Sequence, residues 1–107
     1  MKHVLFVCGR NRLRSPTAEQ IFADFPGIET ASAGLNPDAE NPLGEDLVEW
    51  ADIIFVMENV HRQKLASQFR PLLKDIRVIC LDIPDKYRAM DPELVRLLKS
   101  KVTPHLD

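Results

Sequence analysis

Four short runs rich in apolar and β-branched residues, each leading through a loop into a helix-like pattern, set the fold class of this 107-residue chain. They are residues 2–7, Ile28–Ser32, Asp52–Met57 and Ile76–Leu81. Their shortness and their Val, Ile and Phe content predict strands, buried where the run is continuously apolar. Between them Ala18, Ile21, Phe22 and Phe25 recur at helical spacing, as do Val60, Lys64, Leu65 and Phe69. Leu94, Val95, Leu97, Leu98 and Val102 do the same, and Leu47, Val48 and Trp50 suit a shorter helical turn. Ser15-Pro16 and Asp91-Pro92 each predict a capped helix start, because proline is pre-set for the first turn. Pro26-Gly27 stops the first helix. Alternating strands and helices predict an α/β fold, a parallel sheet covered on both faces. With 45% hydrophobic residues the chain can bury one core, so one domain over residues 1–107 is expected.

In such sheets ligands sit beyond the carboxyl ends of the strands. Cys8, Ser32, Met57–Glu58 and Asp82–Asp85 all fall at those ends, so one site is expected there, with a cysteine in it. The first strand runs into Cys8-Gly9-Arg10-Asn11-Arg12-Leu13-Arg14 and then Ser15-Pro16. A strand, a short loop and a helix start place backbone N–H groups and a helix dipole around one sulfur. That arrangement binds an anion and stabilises a thiolate. A phosphate held there would accept from successive loop N–H groups and from the fork of Arg14. Cys8 would stand in line behind the phosphorus, and the Ser15 hydroxyl could donate to the sulfur. The structural alternative for Cys8 is a small buried residue at a strand end.

Composition narrows the rest. A net charge of −2 gives no sign of a nucleic-acid or membrane partner, although Arg10, Arg12 and Arg14 form a local basic exception. Two widely separated cysteines make no disulfide framework and fit reduced thiols in a cytoplasmic protein. No run has transmembrane length, and none resembles a signal peptide. No Cys/His cluster has metal-ligand spacing, so neither metal nor cofactor is expected. Cys80 reads as a core residue, Trp50 and Phe55 as packing, and His3 and His105 as solvated.

The segment Cys8-Gly9-Arg10-Asn11-Arg12-Leu13-Arg14-Ser15-Pro16 resembles the phosphate-binding signature of the low-molecular-weight protein tyrosine phosphatases. Further pieces follow in the family's order. Thr30-Ala31-Ser32-Ala33-Gly34 is similar to its Ser-Ala-Gly element, and Met57-Glu58-Asn59-Val60-His61 to its Met-Asp-x-x-His. Ile83-Pro84-Asp85-Lys86-Tyr87 resembles the segment carrying its general acid. The resemblance implies a three-layer sandwich around a four-stranded parallel sheet of order 2-1-3-4. It implies phosphomonoester hydrolysis, phosphotyrosine-like substrates favoured, through a phosphocysteine on Cys8, with Arg14 binding the phosphoryl group. It also implies a network in which Asn11, supported by Ser32 and His61, holds the loop. Gly9, Arg10, Asn11, Arg12, Leu13 and Ser15 would contact the phosphate. Two departures stand out: a shortened stretch between Gly34 and Leu47, and Lys86 where the family usually has proline.

Phosphocysteine chemistry needs an acid for the leaving oxygen and then a base for water. Asp85 lies in the loop at the family position and is the candidate, with Asp82 in reserve, while helix capping accounts for Asp91. Tyr87 shares that loop and is the expected aromatic wall of the substrate site. The expected partner is a phosphorylated protein or a small phosphomonoester, and Arg10 and Arg12 would favour a second anionic group on it. Two other readings remain open at this level. One is a non-catalytic phosphate-binding or regulatory module. The other is a thiol-dependent arsenate reductase, for which Cys80 is the one further thiol.

Overall fold

The computed structural model describes residues 1–10 and 13–106. Its strands are β1 (Lys2–Cys8), β2 (Ile28–Gly34), β3 (Ile53–Val56) and β4 (Arg77–Cys80). All neighbours are parallel, in the order β2-β1-β3-β4, as the resemblance implied. Helices α1 (Arg14–Phe22), α2 (Glu45–Trp50), α3 (Asn59–Phe69) and α4 (Pro92–Val102) make the crossovers and the closing layer. Among the described residues no helix is long and apolar enough to cross a membrane.

Strand alternation sorts the core into two layers. Val4, Phe6 and Cys8 of β1, with Ile53 and Phe55 of β3, face α1 and α4, where Ala18, Phe22, Leu94 and Leu98 meet them. Leu5 and Val7, with Ile54 and Val56, face α2 and α3 and pack on Val48, Leu65 and Phe69. Phe6 stacks between Phe22 and Phe55, with ring centroids 5.9 and 5.5 Å away. Because both faces of β1 and β3 are covered, their sequences read as unbroken apolar runs rather than alternating ones. Cys80 packs at the edge of the α2/α3 layer and is half-buried.

Asp91 caps α4 as expected, its carboxylate accepting from the Glu93 N–H at 3.0 Å, with Pro92 at the first helical position. The first helix departs from expectation. It begins at Arg14, with Leu13 in the capping position and no side-chain cap, so Ser15 is already inside it. Pro16 still falls in the first turn, where its missing N–H costs nothing. Strand β2 runs two residues further than expected, to Gly34, which lies beside Cys8 in the register. Neither His3 nor His105 is simply solvated. His3 stacks on Trp50 with centroids 4.5 Å apart, and His105 lies against the Phe55 ring and the Arg77 guanidinium.

Candidate active site

The carboxyl ends of β1 and β3, the turn after β2 and the segment after β4 enclose a cavity of about 400 Å³. Its wall is Cys8, Gly9, Arg10, Leu13, Arg14, Asn36, Glu58, His61 and Asp85. Cys8 ends the central strand and is 4% exposed, with its sulfur 3.0 Å from the Ser15 hydroxyl. Ser15 lies inside α1, one residue past its start, so its hydroxyl is placed beside the sulfur and not in the capping position.

The loop after Cys8 is laced to the chain after β2. The carbonyls of Cys8, Gly9 and Arg10 accept from the backbone N–H groups of Leu35, Asn36 and Glu40 at 2.9, 2.9 and 3.1 Å. These three carbonyls are thereby satisfied within the chain. The approach demands a glycine. A Cβ on Gly34 would stand 2.5 Å from the Ala39 Cβ and 2.6 Å from the Gly9 carbonyl oxygen. Asn11 and Arg12 lie outside the described residues.

Arg14 is only 6% exposed and is held from two sides. Its Nη1 donates to Glu58 Oε2 and to the Ile83 carbonyl, each at 2.7 Å. Both partners come from strand ends. Glu58 follows β3 and opens α3, while Ile83 follows β4 and is tied to β3 by its N–H donating to the Met57 carbonyl at 2.8 Å. Between β4 and Ile83 the chain bends at Asp82, which adopts φ +56. Aspartate tolerates that left-handed geometry. The side chain of Asp82 is not part of the cavity wall, whereas Asp85 is, with Oδ1 3.8 Å from Arg14 Nε.

His61 and Glu58 form a reciprocal cap on α3. The Glu58 carboxylate accepts from the His61 N–H, and His61 Nδ1 accepts from the Glu58 N–H at 3.1 Å. A ring that accepts at Nδ1 carries its proton on Nε2, the atom turned toward Gly9 and 3.7 Å from where a Cβ there would sit. Burial holds His61 below the ordinary histidine range, and the Arg14 and Lys64 cations push the same way against Glu58 and Asp85.

Ser32 is buried at the end of β2, but its hydroxyl donates to the Glu19 carboxylate, so the described structure gives it a partner on α1. Tyr87, expected at the substrate wall, is 8% exposed and packed in the α1/α4 layer, outside the cavity lining. An aromatic ring two residues beyond Asp85 gains more by filling the core under that loop than by lining a polar cleft. Asn36 is a wall residue that the sequence reading did not name, and Glu58 one that it placed at the strand ends without a role. Glu58 stands where the family's Met-Asp-x-x-His has aspartate, a signal that was legible. Asn36 has no local signature.

No family profile matches the chain. A protein-arginine-phosphatase of Bacillus subtilis (strain 168) is 30% identical over 93 residues. The chain spans 62% of that relative's length. A YwlE arginine phosphatase structure, a cysteine-to-serine variant with a phosphorylated active-site serine, superposes with a TM-score of 0.75 at 26% identity. That match covers 97% of this chain and 95% of the other. The chain has the fold of the low-molecular-weight protein tyrosine phosphatases. The family's fold recurs in the SP-PTP enzyme of Streptococcus pyogenes, with a TM-score of 0.80 at 17% identity over 99% of this chain and 91% of that one.

Proposed function

We propose that this protein is a cysteine-dependent phosphatase that hydrolyses phosphomonoesters, phosphotyrosine-like ones favoured, through a phosphocysteine intermediate. The observation that carries the proposal is one cavity walled by Cys8, Arg14 and Asp85, with the Ser15 hydroxyl 3.0 Å from the sulfur. In the first step the Cys8 thiolate attacks phosphorus while the leaving oxygen takes a proton from Asp85. The S–P bond forms as the P–O bond breaks. In the second step Asp85, now a carboxylate, takes a proton from water as its oxygen attacks phosphorus, releasing phosphate and the thiolate. Throughout, Arg14 carries the charge on the equatorial oxygens, and Ser15 donates to the sulfur when it is anionic. Gly9, Arg10 and Leu13 frame the phosphoryl group and His61, beside Gly9, supports the loop; contact roles for Asn11 and Arg12 rest on the resemblance alone.

The substrate side is a phosphorylated protein residue, in keeping with the activity named for the arginine-phosphatase relative. A second reading, phosphoarginine in place of phosphotyrosine, is favoured by one feature of the wall. Among the described lining residues none is Phe, Tyr or Trp, while the exposed carboxyl group of Asp85 could meet a guanidinium leaving group. Hydrolysis of p-nitrophenyl phosphate and of a phosphoarginine peptide by the purified protein tests both readings. Wild-type turnover that falls by about 10³-fold or more in Cys8→Ser supports the nucleophile. Equal turnover in the two proteins overturns it, and the ratio of kcat/KM for the two substrates decides the leaving group.

A further inference from the structure

We infer that Glu58 is a positioning residue for Arg14, which with the Ile83 carbonyl occupies Nη1 and reserves the Nε–Nη2 edge of the guanidinium for the phosphoryl group. The inference rests on the phosphatase reading and adds to it a residue outside the loop motif.

A guanidinium has five N–H donors in one plane, two of them on Nη1. Here Nη1 has two acceptors at 2.7 Å, a carboxylate oxygen and a backbone carbonyl. Two such anchors on a buried group fix the plane and its rotation. The opposite edge remains, with one donor on Nε and two on Nη2. Asp85 Oδ1, at 3.8 Å from Nε, is beyond hydrogen-bond distance, and among the described residues nothing accepts from Nη2. That edge has the spacing of two oxygens on one phosphoryl group, which a bidentate arginine matches and a lysine does not.

The Ile83 carbonyl alone would hold one N–H and leave the plane able to turn about it. Glu58 supplies the second point and the countercharge for a buried cation. The same carboxylate caps α3 through the His61 N–H, so the arginine is referenced to the start of that helix. Capping by itself does not require a contact with Arg14, and therefore the two roles can be separated.

The test measures inorganic phosphate affinity by titration calorimetry in four proteins: wild type, Glu58→Gln, Arg14→Lys and the double variant. Glutamine keeps the shape and an oxygen for the His61 N–H, and lysine keeps a positive charge without a fork. Positioning predicts that Glu58→Gln weakens phosphate binding about tenfold more with arginine in place than in the Arg14→Lys background. Glu58→Ala in both backgrounds should widen that gap, because lost capping affects both alike and cancels. Equal fold-changes in the two backgrounds overturn the inference and leave the phosphatase reading standing. A wild type that neither binds phosphate nor turns over p-nitrophenyl phosphate overturns both. In steady-state assays the loss in Glu58→Gln should fall on kcat more than on KM.

Discussion

Each end of the sheet carries a histidine set among carboxylates, and burial makes them different chemical environments. At the amino end His3 lies 3.5 Å from Glu29 and 3.9 Å from Asp52, both carboxylates more than half exposed. At the carboxyl end His61 is 5% exposed and shares its surroundings with Arg14, Glu58, Lys64 and Asp85. Water screens the first group, so its ion pairs contribute little. The second group is held in a fixed pattern of donors and acceptors, where losing one partner leaves another uncompensated. The same residue types decorate one end and build a site at the other.

The contrast can be broken most sharply at Asp85. Asp85→Asn should lower kcat for p-nitrophenyl phosphate by about 10²-fold, as loss of general acid catalysis does, with phosphate binding retained. An unchanged kcat would return the acid role to another group. Gly34→Ala comes next. Its Cβ would collide with the Gly9 carbonyl oxygen, so the expected cost is about 1–3 kcal/mol of stability, read as a lower Tm, together with weaker phosphate binding. Retained Tm and affinity would mean that the lacing of loop to strand is not tight.

A smaller effect follows from His61. Its folded-state value lies below the unfolded one, so the unfolded chain binds more protons as the solution is acidified. Stability is therefore full above about pH 6.5 and declines as pH falls toward the lowered value, with a slope of at most about 1.4 kcal/mol per pH unit. The groups facing the ring, Arg14, Glu58, Lys64 and Asp85, are those named above. His61→Gln should flatten Tm between pH 7 and 5, and an unaltered slope would assign the acid sensitivity elsewhere. The smallest effect belongs to the amino end. Glu29→Gln should change stability by less than about 0.5 kcal/mol and leave kcat unaltered. A larger change would show that the open end is not the passive one.

What the sequence made legible was local. The strand runs of β1 and β3 and the Asp91-Pro92 start of α4 follow from neighbouring residues alone, and so does the place of Cys8 at the end of β1. The strand order came from resemblance, because periodicity says nothing of which strands adjoin. The contacts that finish the site are long-range. Arg14 meets Glu58 and Ile83 only after three strands are aligned, and Asn36 reaches the wall because the turn after β2 is laced to Gly9. Ser15 and Tyr87 show the other failure. A helix-start serine and a loop tyrosine have generic uses, capping and substrate contact, and tertiary packing drew them to the sulfur and to the core instead. Polar residues near His3 were equally invisible, since Glu29 and Asp52 approach it only through strand pairing.

The lacing of Cys8, Gly9 and Arg10 to residues 35–40 bears on the entropy of ligand capture. Backbone bonds made within the chain, none of them through an anion, hold this part of the loop, so little of the interaction should be lost to ordering. Affinity for a small oxyanion should then depend on the donors themselves, and its calorimetric signature should lack the large unfavourable entropy of a loop that folds around its ligand.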